Sequence, residues 1–135
     1  MNKKNPSEEW FQIAEMDLLT ANYLKGMRPK PIEIICYHCQ QAAEKYLKGF
    51  LAFRGHEVVK THDLMALNRL CLSYDQEFKS IKEPCLRLTD YGVNIRYPYP
   101  IDLNESDMEL ALKDAQVLQT FVLKRMTLRN NKESK

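Results

Sequence analysis

Glycine is scarce, with four in 135 residues, and no segment of useful length alternates apolar and polar side chains, so nothing supports a sheet and the chain reads as all-α. The motifs G-x-x-x-x-G-K-[ST], G-x-G-x-x-G and H-E-x-x-H are all missing, which removes P-loop hydrolysis, dinucleotide binding and zincin chemistry. Histidine is limited to His38, His56 and His62, too scattered for a metal cluster by spacing. No run approaches the roughly 18 apolar residues of a membrane span, and the basic start MNKKNPSEEW has no apolar stretch behind it. The reading is a soluble, cytoplasmic protein. Nor does one sign of charge dominate: 20 Lys and Arg against 18 Asp and Glu leave +2, so any basic patch must be local.

Four cysteines without a secretory signal fit a reducing compartment. Cys36 and Cys39 form a C-x-x-C, the spacing of a redox motif or half a zinc site. Cys71 and Cys85 stand alone, however, and both members of the C-x-x-C fall on an apolar helix face, where a free thiol behaves as a small hydrophobe. No metal ion or other cofactor is expected.

What the chain has in quantity is helical periodicity. The stretch from Ile34 to Phe53 reads as one long helix on which Ile35, Cys36, Cys39, Ala42, Ala43, Tyr46, Leu47, Phe50 and Phe53 cover about half the cylinder. Such a wide apolar face belongs in a core. His38, Gln41, Lys45 and Lys48 share an arc of roughly 80° on the other side. That arc is the first candidate binding surface.

The remaining segments are also helical. Ser7, followed by Glu8 and Glu9, predicts an N-cap for a helix running to about Lys25, with Phe11, Ala14, Leu18 and Ala21 inward. Gly26 ends it, the prolines at 29 and 31 prevent its continuation, and Gly55 ends the second helix. Thr61 is a candidate cap for a third helix with Leu64, Leu67, Cys71 and Tyr74 on one edge. A fourth is predicted from Pro84 to Ile95, stopped by Tyr97-Pro98-Tyr99-Pro100. The last opens with the capping box of Ser106 and Glu109 and reaches about Leu128, leaving 129–135 as a frayed polar tail. It carries two apolar stripes: Met108, Ala111, Ala115, Leu118, Val122 and Met126, then Leu110, Val117, Phe121 and Leu128. The second stripe fits either another helix of the same bundle or a homodimer interface. Residues 1–128 are read as one domain, an up-and-down antiparallel bundle of four to five helices.

Tyr91, Asn94, Arg96, Tyr97 and Tyr99 combine aromatic rings with a guanidinium, a set that could stack a base and hold a phosphate or could pack a proline-rich corner. His62 beside Asp63 suggests a capping or structural role, since adjacent helical residues do not face each other.

The run Tyr37-His38-Cys39-Gln40-Gln41-Ala42-Ala43-Glu44-Lys45-Tyr46-Leu47-Lys48-Gly49, followed by Thr61-His62-Asp63-Leu64 and Arg96-Tyr97-Pro98, resembles the HEPN domain, in the branch often encoded beside a minimal nucleotidyltransferase. The resemblance covers nearly the whole chain. It implies a helical bundle, usually a homodimer, with a role linked to nucleotides or RNA and a nucleotidyltransferase as partner in a toxin-antitoxin-like pair. Many HEPN proteins are metal-independent ribonucleases that use an arginine followed, after four to six residues, by a histidine. Arg96 is placed like that arginine, but the corresponding positions here are Ile101, Asp102 and Leu103, and no histidine follows His62. Isoleucine and leucine exchange no protons, and an aspartate would need a strongly raised pKa to act as an acid near neutrality. The resemblance therefore implies a non-enzymatic nucleotide or RNA binding module using His38, Gln41, Lys45, Lys48, Arg96 and Tyr97. The alternative is a ribonuclease toxin in which Arg96 works with a base recruited elsewhere, such as His38 or His62.

Overall fold

The computed structural model describes residues 6–92 and 102–133, with side chains to 127. Among the described residues, five α-helices form a bundle: α1 (Pro6–Leu24), α2 (Ile32–Phe53), α3 (Leu64–Tyr74), α4 (Lys82–Leu88) and α5 (Glu105–Glu133). Short 3₁₀ segments, Gln76–Ile81 and Thr89–Tyr91, flank α4, and no strand occurs among the described residues.

The second helix is the axis of the bundle, lying against α1, α3, α4 and α5. Its apolar half is buried as its periodicity predicts, with Ile35, Cys36, Cys39, Ala42, Ala43 and Leu47 fully out of water and only Phe53 half-exposed. Burial extends further round the cylinder than the apolar residues do, taking in Gln40, Glu44 and Lys48. Gly49 explains how α1 comes so close. The Phe11 ring occupies the space a Cβ at position 49 would fill, so a side chain there would drive the two helices apart.

Several boundaries differ from the sequence reading. The first helix starts at Pro6, so Ser7 lies inside it and is buried rather than acting as the cap; proline is well suited to a first turn. Asp63, not Thr61, caps α3: its carboxylate accepts from the Met65 amide at 2.9 Å, while Thr61 Oγ1 accepts from the Asp63 amide at 3.1 Å. The predicted fourth helix is broken up. Its α-helical part, α4, starts two residues earlier, at Lys82, and stops at Leu88, followed by the 3₁₀ segment Thr89–Tyr91, where Thr89 Oγ1 accepts from the Leu64 amide at 3.2 Å and donates to Asp63 Oδ1 at 3.3 Å. A side chain tied to the start of α3 in this way competes with continuation of the helix. The reciprocal cap of α5 is formed by Asn104 and Asp107, two residues earlier than the predicted Ser106 and Glu109 pair; each side chain accepts from the other's amide at 3.0 Å. At its far end the α5 backbone runs on through Glu133, past the predicted stop at Leu128.

The first stripe of α5 is buried from Met108 to Val122, with Met126 partly so. The second divides. Phe121 stacks edge-on against Phe78 of the 3₁₀ segment at 4.9 Å, and Phe78 in turn meets Phe50 of α2 at 4.5 Å, whereas Leu110 and Val117 stay exposed. An intramolecular contact therefore accounts for one residue of that stripe. No helix among the described residues is long and apolar enough to cross a membrane.

Candidate functional site

A carboxylate in the middle of the axial helix organises the site. Glu44 is 1 % exposed, and a buried carboxylate needs hydrogen bonds and countercharge to stay ionised. It has several. Lys48 Nζ donates to Oε2 at 3.0 Å from one turn further along α2, and Lys45 Nζ lies 3.6 Å from the same oxygen. His62 Nδ1, from the segment before α3, lies 3.0 Å and 3.2 Å from the two oxygens. Burial pushes the Glu44 carboxyl up, but the charge of Lys45, the hydrogen bond and charge of Lys48 and the hydrogen bond from His62 outweigh it and hold the group below the usual carboxylate range.

Amide side chains extend the network. Gln40 Nε2 donates to the His62 carbonyl at 3.1 Å and reaches Glu44 Oε1 at 3.4 Å. Gln41 Nε2 donates to Gln40 Oε1 at 2.7 Å, and Lys45 Nζ donates to Gln41 Oε1 at 2.8 Å. One connected set thus joins Lys48, Glu44, His62, Gln40, Gln41 and Lys45. Two ammonium groups around one carboxylate leave a single positive charge when the imidazole is neutral.

The network also orients an imidazole. An ionised carboxylate only accepts, so the His62 ring donates through Nδ1 and, when neutral, keeps its lone pair on Nε2. The His62 side chain is 62 % exposed, which leaves this nitrogen facing water. Such a fixed tautomer can hydrogen-bond to a ligand or accept a proton from one.

Of the residues predicted from sequence, Gln41, Lys45 and Lys48 are brought together, but not as an open cationic surface. Lys48 is 8 % exposed with its ammonium over the Trp10 ring at 5.7 Å, and Lys45 is mostly covered. His38 is separated from them: its Nδ1 lies 3.1 Å from Asp17 Oδ1 of α1. The 100° wheel groups these residues correctly but does not show that a neighbouring helix claims one end of the arc. Arg96 and Tyr97 lie outside the described residues, as do Asn94, Ile95 and Tyr99. Tyr91 is half-buried against the core. Gln40 is nevertheless pressed against Gly92, four positions before Arg96 in sequence, where a Cβ would meet the Gln40 amide at 2.7 to 2.9 Å.

Sequence reasoning missed Glu44 and Gln40 as members of the site, and it read His62 as structural or as an alternative base. The i, i+4 spacings of Gln40, Glu44 and Lys48 were available as a signal. The separation of 18 positions between Glu44 and His62 offered none.

The cysteines follow the packing reading. Cys36 and Cys39 are fully buried, and burial pushes the Cys36 thiol up to about 12 and raises that of Cys39 as well, away from the thiolate that metal binding or redox exchange requires. No group of three or more His, Cys, Asp or Glu side chains among the described residues is arranged to hold a metal ion.

With this geometry in view, the HEPN domain family model matches residues 7–126. The chain belongs to the HEPN domain family. A crystal structure of TT1696 from Thermus thermophilus superposes with a TM-score of 0.78 at 28 % identity, covering 90 % of this chain and 98 % of that one. The crystal structure of ST0689, described as an archaeal HEPN homologue, gives 0.70 at 26 % identity with the same coverage of both chains. No curated protein shows significant similarity to the sequence. The network of Gln40, Gln41, Glu44, Lys45, Lys48 and His62 lies within the matched region of this HEPN domain.

Proposed function

We propose that this HEPN protein is a non-enzymatic binding module that holds a phosphate-bearing nucleotide or RNA end, as the substrate-binding partner of a minimal nucleotidyltransferase. The observation that carries the reading is the single excess positive charge built around buried Glu44, next to an outward-facing imidazole, with Gly92, four positions before Arg96 in sequence, packed on Gln40 of the same network. An anion is attracted to such a site, Gln41 supplies a polar contact of fixed orientation, and the His62 Nε2 lone pair accepts from a ribose hydroxyl of the same ligand. Arg96 adds a bidentate phosphate donor and Tyr97 a stacking surface. His38, held by Asp17, is left out of this assignment.

Titration of fluorescent nucleoside triphosphates and short RNAs tests the reading, with and without a minimal nucleotidyltransferase. Binding should weaken at least tenfold in His62→Ala and Arg96→Ala. Binding unchanged in both variants would overturn the assignment.

A specific observation also supports a second reading, an RNA-cleaving activity. The contact of Glu44 with His62 has the form of an oriented general base, replacing the histidine absent after Arg96. In that mechanism Nε2 takes the proton of a ribose 2′-hydroxyl while the resulting oxygen attacks the adjacent phosphorus, forming a 2′,3′-cyclic phosphate and expelling the 5′-oxygen, which takes a proton from water, with Arg96 countering the charge that develops. Cleavage of RNA in the presence of a chelator, abolished by His62→Ala and by Arg96→Ala, would establish it; intact RNA leaves the binding module.

A further inference from the structure

Between α2 and α3 the chain runs straight. Residues 56–63 contain no helix, turn or bend, and no other stretch among the described residues goes as far in that state. Both ends are pinned: the His56 amide donates to the Leu51 carbonyl at 2.9 Å, and the His62 carbonyl accepts from Gln40 Nε2 at 3.1 Å. Between these anchors the main-chain amides and carbonyls of residues 57–61 have no hydrogen-bond partner among the described residues. Side chains alternate as on a strand, with Val59 and Thr61 half-buried and Val58, Lys60 and His62 exposed, Val58 at 72 %.

An extended main chain held at both ends and unpaired between them is a template for another extended chain. Its ordering cost falls on folding, not on binding. The surrounding side chains select what pairs with it. Lys60 enters none of the ion pairs among the described residues, so its ammonium is left to attract an acidic neighbour. Beside Val58 and Val59 lies a narrow cleft of about 10 Å³, also lined by Trp10, Lys48 and Leu51, with the room of one water or one methyl group. A β-branched side chain brings such a methyl group.

We propose that residues 57–61 form a docking edge to which an extended segment of a partner protein adds as an antiparallel β-strand, with β-branched side chains against Val58 and the cleft at Trp10 and an acidic side chain opposite Lys60. Main-chain hydrogen bonds supply the affinity, and the pattern of Val58 and Lys60 selects the sequence. None of residues 57–60 belongs to the Glu44 network, so this inference stands or falls apart from the nucleotide reading.

The peptide acetyl-Thr-Asp-Val-Val-Thr-amide, titrated into the isotope-labelled full chain, provides the test by nuclear magnetic resonance. In the millimolar range the amide resonances of residues 57–61 should shift and their exchange with solvent should slow, and the fluorescence of Trp10, the single tryptophan, should change. Two versions of the peptide, N-methylated at every second residue in opposite phase, isolate the main-chain contribution. The version blocked on the pairing edge should bind at least tenfold more weakly, and the other should bind normally. Lys60→Glu, at an exposed position, should weaken binding at least threefold with an unchanged circular-dichroism spectrum. Unmoved amides at 57–61, equal binding of the two methylated peptides, or undiminished binding in Lys60→Glu would each overturn the proposal. So would slowed exchange of these amides with a short RNA and not with the peptide, which would give the segment to nucleic acid.

Discussion

Two carboxylates are buried almost equally in this bundle and do different things. Asp114 of α5, 2 % exposed, is met by one guanidinium: Arg87 Nε and Nη2 of α4 donate to its two oxygens at 2.8 and 2.9 Å. The pair is closed, with charge matched one to one and α4 tied to α5. Glu44 is instead shared by two lysines, an imidazole and an amide drawn from α2 and the segment before α3, and the sum is one positive charge and an accessible ring nitrogen. A buried ion pair of fork geometry is a structural tie. A buried carboxylate with surplus cations is a scaffold that holds other groups ready for an anion. Under the proposed function the contrast separates a binding scaffold at Glu44 from a structural tie at Asp114, although both positions read alike from the chain.

The largest effects should come from removing the carboxylates. Glu44→Ala leaves Lys48 buried without its partner and should cost about 3–5 kcal/mol in urea unfolding, together with loss of nucleotide or RNA binding. Asp114→Ala should cost about 2–3 kcal/mol, because the half-exposed Arg87 can turn to water, while folded protein keeps its ligand affinity. Equal loss of binding in both variants would erase the distinction.

Next in size is Gly92→Ala. The new methyl displaces the Gln40 amide from its bonds to His62 and Gln41, and should lower stability by about 1–3 kcal/mol. Ligand affinity should fall with it, as a titration of the folded variant would show.

Acidification sharpens the comparison further. The folded-state pKa of Glu44 is depressed, so in acid the unfolded chain binds the proton more readily than the folded one. Its contribution to stability is therefore complete above the unfolded value, about 4.3, and is lost as pH falls through the lower folded value. Unfolding curves measured from pH 6 to pH 3 should show a smaller acid-induced loss in Glu44→Gln than in the unmodified protein. The smallest change in stability belongs to His62→Ala, under about 1 kcal/mol because the ring is largely in water. In that variant binding should nevertheless weaken tenfold or more.

Local signals in the chain were enough to determine the helices and the core. Scarce glycine, apolar residues at helical spacing and prolines between them specify a bundle, and the wide apolar face of Ile35 to Phe50 specifies which helix is central, because burial of apolar surface depends on periodicity that one strand of sequence displays in full. Caps were legible only to within a residue or two, since Thr61 and Asp63, or Asn104 and Ser106, are comparable cap residues until backbone geometry chooses between them. Tertiary structure alone decided the site. It removed His38 to Asp17, buried Lys48, and brought His62 across 18 positions to Glu44. A helical wheel gives directions around one axis, whereas the charge state and contacts of a buried carboxylate depend on what the neighbouring segments bring to it.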